Sequence, residues 1–123
     1  MKPQEFSIRS RLRSFRFAWD GIASFFHRDH NAWLHFMATI AVITTALLVG
    51  VTKTELLALV FAIGLVWMAE MFNTCIERVM DFVSEQKHPE IKFIKDLAAG
   101  AVLTASITAL IIGAVVFIPK LFN

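Results

Sequence analysis

Hydrophobic positions along the 123-residue chain form two kinds of pattern, a helical stripe near the start and three long apolar runs after it. From Phe6 to Phe26, apolar residues recur at Ile8, Leu12, Phe15, Trp19, Ile22 and Phe26. At about 100° per residue they share an arc about 80° wide, with Arg9, Arg13 and Arg16 to one side. A narrow apolar stripe flanked by arginines predicts a helix lying in a membrane interface, so residues 1–30 read as an amphipathic surface helix. The three runs, Ala32–Thr52, Leu56–Ala69 and Leu97–Pro119, contain no Asp, Glu, Lys or Arg. A helix needs about 20 apolar residues to cross about 30 Å of hydrocarbon. The first and third runs meet that length. The second meets it only if its helix carries Glu70 and its neighbours into or near the membrane. The pattern therefore predicts an all-α membrane protein with spans at 32–52, 56–77 and 97–119 and a polar segment at 78–96.

Composition agrees. The chain is 57% hydrophobic and 18% charged, with mean hydropathy +0.64, where soluble domains carry about a quarter charged residues. A single cysteine, Cys75, excludes an internal disulfide framework and a cysteine-based metal cluster. Charge placement predicts orientation. Lys2, Arg9, Arg11, Arg13, Arg16 and Arg28 precede the first span, and Arg78, Lys87, Lys92 and Lys95 lie between the second and third. Only Lys53 and Lys120 fall on the other side. By the positive-inside rule the N-terminus and the 78–96 segment are cytoplasmic and the C-terminus is outside, in an inner or cytoplasmic membrane. Met1–Gln4 has no apolar core or cleavage site of a signal peptide, so no removable address is expected.

The candidate chemistry lies between Met68 and Asp96. Glu70, Asn73, Glu77, Asp81 and Ser84 occupy a stripe about 80° wide on a helix. Carboxylates entering hydrocarbon are expensive and mark function. Two oxygen-rich turns facing one way suit Mg²⁺, which takes one or two carboxylates and keeps waters or phosphates. Glu70, at the lipid boundary, is placed to act as general base on a lipid hydroxyl. Lys95 and Asp96 precede the third span, where a lysine beside a carboxylate-bound metal could meet nucleotide phosphates. The glycines at 21, 50, 64, 100 and 113 are isolated, so no glycine-rich cradle holds a nucleotide and no nucleophile elbow is present. His27, His30 and His35, with Asp29 among them, lack a second tight ligand pair, and hydrogen bonds to headgroups or backbone are expected of them instead of zinc. Small residues at Ala101, Ala105, Ala109 and Gly113 recur every four positions and allow close helix packing. Three spans barely enclose a polar site, so a homo-oligomer is expected, with no nucleic-acid partner.

The residues AEMFNTCIERVMD (69–81), HPE (88–90) and KDLAAGAVL (95–103), with Phe15, Ala18, Trp19 and Gly21 earlier, resemble the small prokaryotic diacylglycerol kinase family. The resemblance runs from about Phe15 to Pro119. It implies a homotrimer of three-span subunits that transfers the ATP γ-phosphate to a lipid alcohol with Mg²⁺, at sites on the cytoplasmic membrane boundary. It implies Glu70 as catalytic base helped by Asn73, and Glu77 and Asp29 as metal and nucleotide residues. Lys95, Asp96 and the Gln86–Lys87–His88 segment would meet ATP, and Asn31, His35 and Ala99 would meet the acceptor lipid beside Glu70. Asp29 stands where the family usually has Glu, and Ser10 and Phe17 stand where some members have a nucleotide-contacting arginine and tyrosine. The segment Asn31–His35 resembles the N-x-R-x-H of the undecaprenol kinase branch, with Trp33 in place of arginine. That likeness favours undecaprenol slightly over diacylglycerol. The rival readings are a small membrane oligomer using Glu70 as an intramembrane proton relay, and a scaffold, which gives no reason for the stripe.

Overall fold

The computed structural model describes residues 6–122. Lys2 and the Met1–Gln4 stretch, used above for orientation and targeting, lie outside the described residues. These fold as four helices, α1 (Ile8–Arg28), α2 (His30–Val49), α3 (Lys53–Val83) and α4 (Pro89–Leu121). Three of them, α2, α3 and α4, are long and apolar enough to cross a membrane. The chain divides into two compact units, residues 1–37 and 38–123, with α2 running from one into the other.

In the first unit the Ser7 hydroxyl caps α1 by accepting the Ser10 backbone N–H. The apolar stripe expected for this helix is present but uncovered: Ile8, Leu12, Phe15 and Trp19 are exposed, and only Phe25 is buried. The break to α2 is a single residue. Asp29 ends α1 by donating its N–H to Phe25 O (3.0 Å), and its Oδ1 accepts the Asn31 N–H (2.9 Å). The elbow is held by edge-on aromatic contacts of Phe26 with Trp33 (5.1 Å between centroids) and Phe36 (5.9 Å). Such pairs add about 0.5–1.5 kcal/mol each beyond the area they bury. Trp33 also donates its indole N–H to Phe26 O (3.1 Å).

In the second unit α3 and α4 form the one extensively packed helix pair among the described residues. Gly50 ends α2 with φ +72°, the left-handed conformation that only glycine adopts without strain, and both its N–H and that of Val51 return to Ala46 O. Two residues later Thr52 and Glu55 form a reciprocal capping box that starts α3. Beside this turn Ala46, Leu59 and Val116 make a small buried cluster from α2, α3 and α4. Hydroxyls inside the spans are satisfied by their own helices: Thr45 donates to Ala41 O, Thr104 to Gly100 O and Thr108 to Thr104 O.

Two expectations gain detail. The 78–96 segment is mostly helix, because α3 continues to Val83 and α4 already begins at Pro89. Pro89 suits the first helical turn, where its missing N–H costs nothing, and His88 caps it by accepting the Glu90 N–H on Nδ1 (3.1 Å). The helix read under the carboxylate stripe thus runs almost to Ser84, and both helices extend past the apolar runs that mark the spans. The small-residue row is the second. Ala105 is buried but Ala101 is exposed, and the buried line on α4 runs through Ala98, Ala105 and Val116. Steps of seven and eleven, each within about 20° of whole turns, keep one face of the helix in line. His27 and His30 also prove to lie on different helices, either side of the Asp29 break.

Candidate active site

Glu70 sits on α3 at the end of its apolar run and is buried, 7% exposed even in the single chain. It is the one buried charged side chain among the described residues. One turn further, Asn73 donates its amide to Glu77 Oε1 (3.4 Å). That leaves Asn73 Oδ1 buried with no hydrogen-bond partner. A buried amide oxygen without a donor costs about 1–3 kcal/mol, so a group that engages it is favoured. The α-helix explains the grouping: offsets of three and four residues stack Glu70, Asn73 and Glu77 along one side.

From α4, Lys95 reaches across to α3 and donates to Asp81 Oδ1. Its neighbour Asp96 is paired instead with Lys92 on its own helix. The Lys92–Asp96 pair is largely solvated and contributes little to stability, whereas Lys95 is about two-thirds covered beside a mostly exposed Asp81. Their effect is to hold a lysine and a carboxylate at the polar ends of α3 and α4. Of the loop residues expected to meet nucleotide, Gln86 donates its backbone N–H to Ser84 Oγ (3.1 Å), Lys87 is exposed, and His88 is committed through Nδ1 to capping α4. Ala99 is exposed on the next turn of α4.

In the first unit Asp29 uses one carboxylate oxygen on the Asn31 N–H, Asn31 is exposed and His35 is half-buried. Trp33, standing where arginine was the resembled residue, is the staple of the α1–α2 elbow. Phe17 and Ser10 are exposed on α1.

The donor set fits a hard cation. Asn73 Oδ1 and the Glu77 carboxylate are oxygen ligands, one of them without a partner. Among the described residues no three His, Cys, Asp or Glu cluster to form a closed metal cage. One or two carboxylates with water and phosphate completing the shell is how proteins hold Mg²⁺.

Sequence reasoning put Asp81 in the stripe without assigning it a partner. Its position two turns beyond Asn73, with a lysine opening the next apolar helix, was the available signal. It did not single out the Trp67 indole, which donates to Thr39 Oγ1 on α2 (2.9 Å). No spacing rule connects residues 28 apart on different helices.

Comparison with known proteins places the chain in a family. The family model described as prokaryotic diacylglycerol kinase matches residues 16–117. The chain is 38% identical over 113 residues to a diacylglycerol kinase of Synechocystis, covering 91% of this chain and 65% of that protein. It thus spans about two-thirds of that relative's length. It is 35% identical over 110 residues to an undecaprenol kinase of Bacillus subtilis, covering 89% of each. A diacylglycerol kinase of Haemophilus influenzae is 28% identical over 109 residues. With one family matched across most of its length and through all three apolar helices, the chain belongs to the prokaryotic diacylglycerol kinase family.

Proposed function

We propose that the chain is an ATP- and Mg²⁺-dependent lipid kinase. It phosphorylates the primary hydroxyl of a membrane lipid alcohol, undecaprenol ahead of diacylglycerol, and acts as a homotrimer in the bacterial cytoplasmic membrane. The observation that carries this reading is the buried Glu70 one turn from the unpartnered Asn73 oxygen and Glu77. Counting about 20 residues from Leu56 brings the hydrocarbon boundary near Cys75, so Glu70 lies about 7 Å inside it. A lipid hydroxyl arriving from the bilayer meets Glu70, while a nucleotide arriving from water meets Glu77 and Lys95. The N-in, C-out orientation rests on the placement of the lysines and arginines.

Glu70 accepts the hydroxyl proton as the alcohol oxygen bonds to the γ-phosphorus. The bond from that phosphorus to the β–γ bridging oxygen breaks, and ADP leaves with the electron pair. Lys95 exchanges Asp81 for phosphate oxygens and offsets their charge. Glu77 and Asn73 Oδ1 would hold Mg²⁺, joined on the strength of the resemblance by Asp29; bound there, the ion neutralises phosphate charge. Gln86, Lys87, His88 and Asp96 line the nucleotide side, and Asn31, His35 and Ala99 the lipid side, in the roles the resemblance gives them. Positioning and charge neutralisation account for most of the catalysis in such a transfer.

The test is transfer of labelled γ-phosphate from ATP, with and without Mg²⁺, by purified protein in mixed micelles offered undecaprenol and diacylglycerol. Glu70→Gln is expected to lower turnover by at least about 100-fold, the scale of a lost general base, with unchanged oligomer size in detergent. Near-normal turnover of that variant overturns the base assignment. Absence of transfer to both lipids by the unaltered protein, with pH-dependent flux in liposomes, moves the reading to a proton relay.

A further inference from the structure

Trp67 lies three residues before Glu70, about 4.5 Å nearer the middle of the apolar run and about 60° round the helix. Asn73 lies the same angle round the other way, so Glu70 sits between an indole on its apolar side and an amide on its polar side. The ring is half-buried, and its N–H donates to Thr39 Oγ1 on α2. Among the described residues α2 does not share the extensive packing that joins α3 to α4, so this hydrogen bond is a strut across a loosely packed pair of helices. A tryptophan that anchors a helix at the membrane surface turns its N–H toward headgroups and water. This one is turned inward and fixed.

We infer that Trp67, held by Thr39, is the specificity-determining wall of the acceptor site, and that it selects an isoprenoid alcohol over a glycerolipid. The inference rests on Glu70 being the base. A lipid whose hydroxyl reaches Glu70 from the bilayer lays the carbons next to that hydroxyl along the preceding turn, where Trp67 stands. In diacylglycerol those carbons bear ester carbonyls, which need a donor when they leave water. In a polyprenol they are an allylic, methyl-branched hydrocarbon. The indole has one N–H and no acceptor, and Thr39 occupies it. The ring itself is apolar: it matches the isoprenoid and offers an ester carbonyl no second donor. Sites discriminate by leaving such groups unsatisfied.

The experiment compares kcat/KM for undecaprenol and for diacylglycerol in mixed micelles across three variants. Thr39→Val removes the acceptor and releases the N–H, and is expected to lower the undecaprenol-to-diacylglycerol ratio by about 5- to 10-fold, chiefly through a better KM for diacylglycerol. Trp67→Phe has a ring but no N–H to release, so its ratio stays at or above that of the unaltered protein. The double variant Thr39→Val/Trp67→Phe returns the ratio to the Trp67→Phe value. A purely structural role for the pair predicts instead that both substrates fall together in Thr39→Val, with a lower melting temperature and no return in the double variant; that pattern overturns the inference. The KM for ATP and the oligomer size serve as controls and stay constant. Transfer to either lipid upholds the kinase reading whatever the ratio does, so an unchanged ratio defeats the role of Trp67 alone. Absence of all transfer defeats both.

Discussion

The two ends of the α3–α4 pair are built to different standards. At the Gly50 end, chain reversal, cap and ion pair reinforce one another. Gly50 supplies the left-handed turn, Thr52 and Glu55 cap α3 reciprocally, and Lys120 from the last turn of α4 reaches Glu55 (3.2 Å). Both members of that pair are about three-quarters covered, and the buried Ala46, Leu59 and Val116 lie close by in the chain. At the other end the polar groups are looser. The Lys92–Asp96 pair is mostly solvated, Lys95 meets an Asp81 that is mostly exposed, Glu77 is exposed, and a buried Asn73 oxygen has no partner. A closed end with its capping donors met does the work of holding helices. An open end with an unmet acceptor and exchangeable ion pairs is what a site for phosphate and cation requires.

The sharpest way to break this contrast is to disturb the open end and look for lost stability. Lys95→Met is expected to raise the KM for ATP by about 10- to 100-fold, the scale of a lost charge-assisted hydrogen bond to phosphate. Its melting temperature should stay within about 1–2 °C, because Asp81, the partner left behind, is mostly exposed to solvent. Asp81→Asn should act more weakly and in the same direction, about 3- to 10-fold, since Lys95 keeps its charge and loses only its rest position. Asp81→Glu should recover part of that loss. Nucleotide titration and a detergent thermal melt read both quantities. A large fall in melting temperature with unchanged KM would place the Lys95–Asp81 pair with the structural end.

The converse experiment disturbs the closed end. Gly50→Ala places a Cβ in open space, with no atom within 4 Å, so its whole cost is the positive φ. That cost is about 1–2 kcal/mol. Thr52→Ala removes half of the capping box and should cost about 0.5–2 kcal/mol. Both should lower the melting temperature by several degrees and leave kcat and the KM for ATP unchanged at a temperature where the protein is folded. A loss of turnover before any loss of structure would tie this end to catalysis and erase the distinction.

The difference between the ends also explains what was legible in the sequence. Three apolar runs, an amphipathic first helix and a carboxylate stripe are periodic along the chain, and the four helices follow them to within a few residues where apolar character stops with the helix. At 78–96 the helices outrun the apolar runs: the stripe to Ser84 follows α3 to its end, whereas α4 starts at Pro89, eight residues before its apolar run. The T-x-x-E of Thr52–Glu55 is a capping signature legible in the sequence, whereas the charges of Lys53 and Lys120 indicate orientation and not the Lys120–Glu55 pair. Contacts between helices left no such trace. Lys95–Asp81, Lys120–Glu55 and Trp67–Thr39 join residues 14, 65 and 28 positions apart. Trp33 is the instructive case. As a departure from an expected arginine it marked a place where chemistry was missing, whereas its ring and N–H bind α1 to α2.

The smallest predicted effect tests whether the open end is loose throughout or only at Lys95. Lys92 and Asp96 are one turn apart on α4 and each is more than half exposed. Exposed pairs at this spacing contribute about 0.3–0.5 kcal/mol and are screened by salt. Lys92→Gln should therefore leave the melting temperature within about 1 °C. It also releases the Asp96 carboxylate, which sits beside Lys95 and repels phosphate once Lys92 no longer offsets it. The KM for ATP should rise by about two- to threefold at low ionic strength and return toward the unaltered value as salt is added, since the Debye length falls to about 8 Å near physiological strength. A rise that persists at high salt would mean that Lys92 itself touches the nucleotide, and the looseness of this end would then extend one turn further from the membrane.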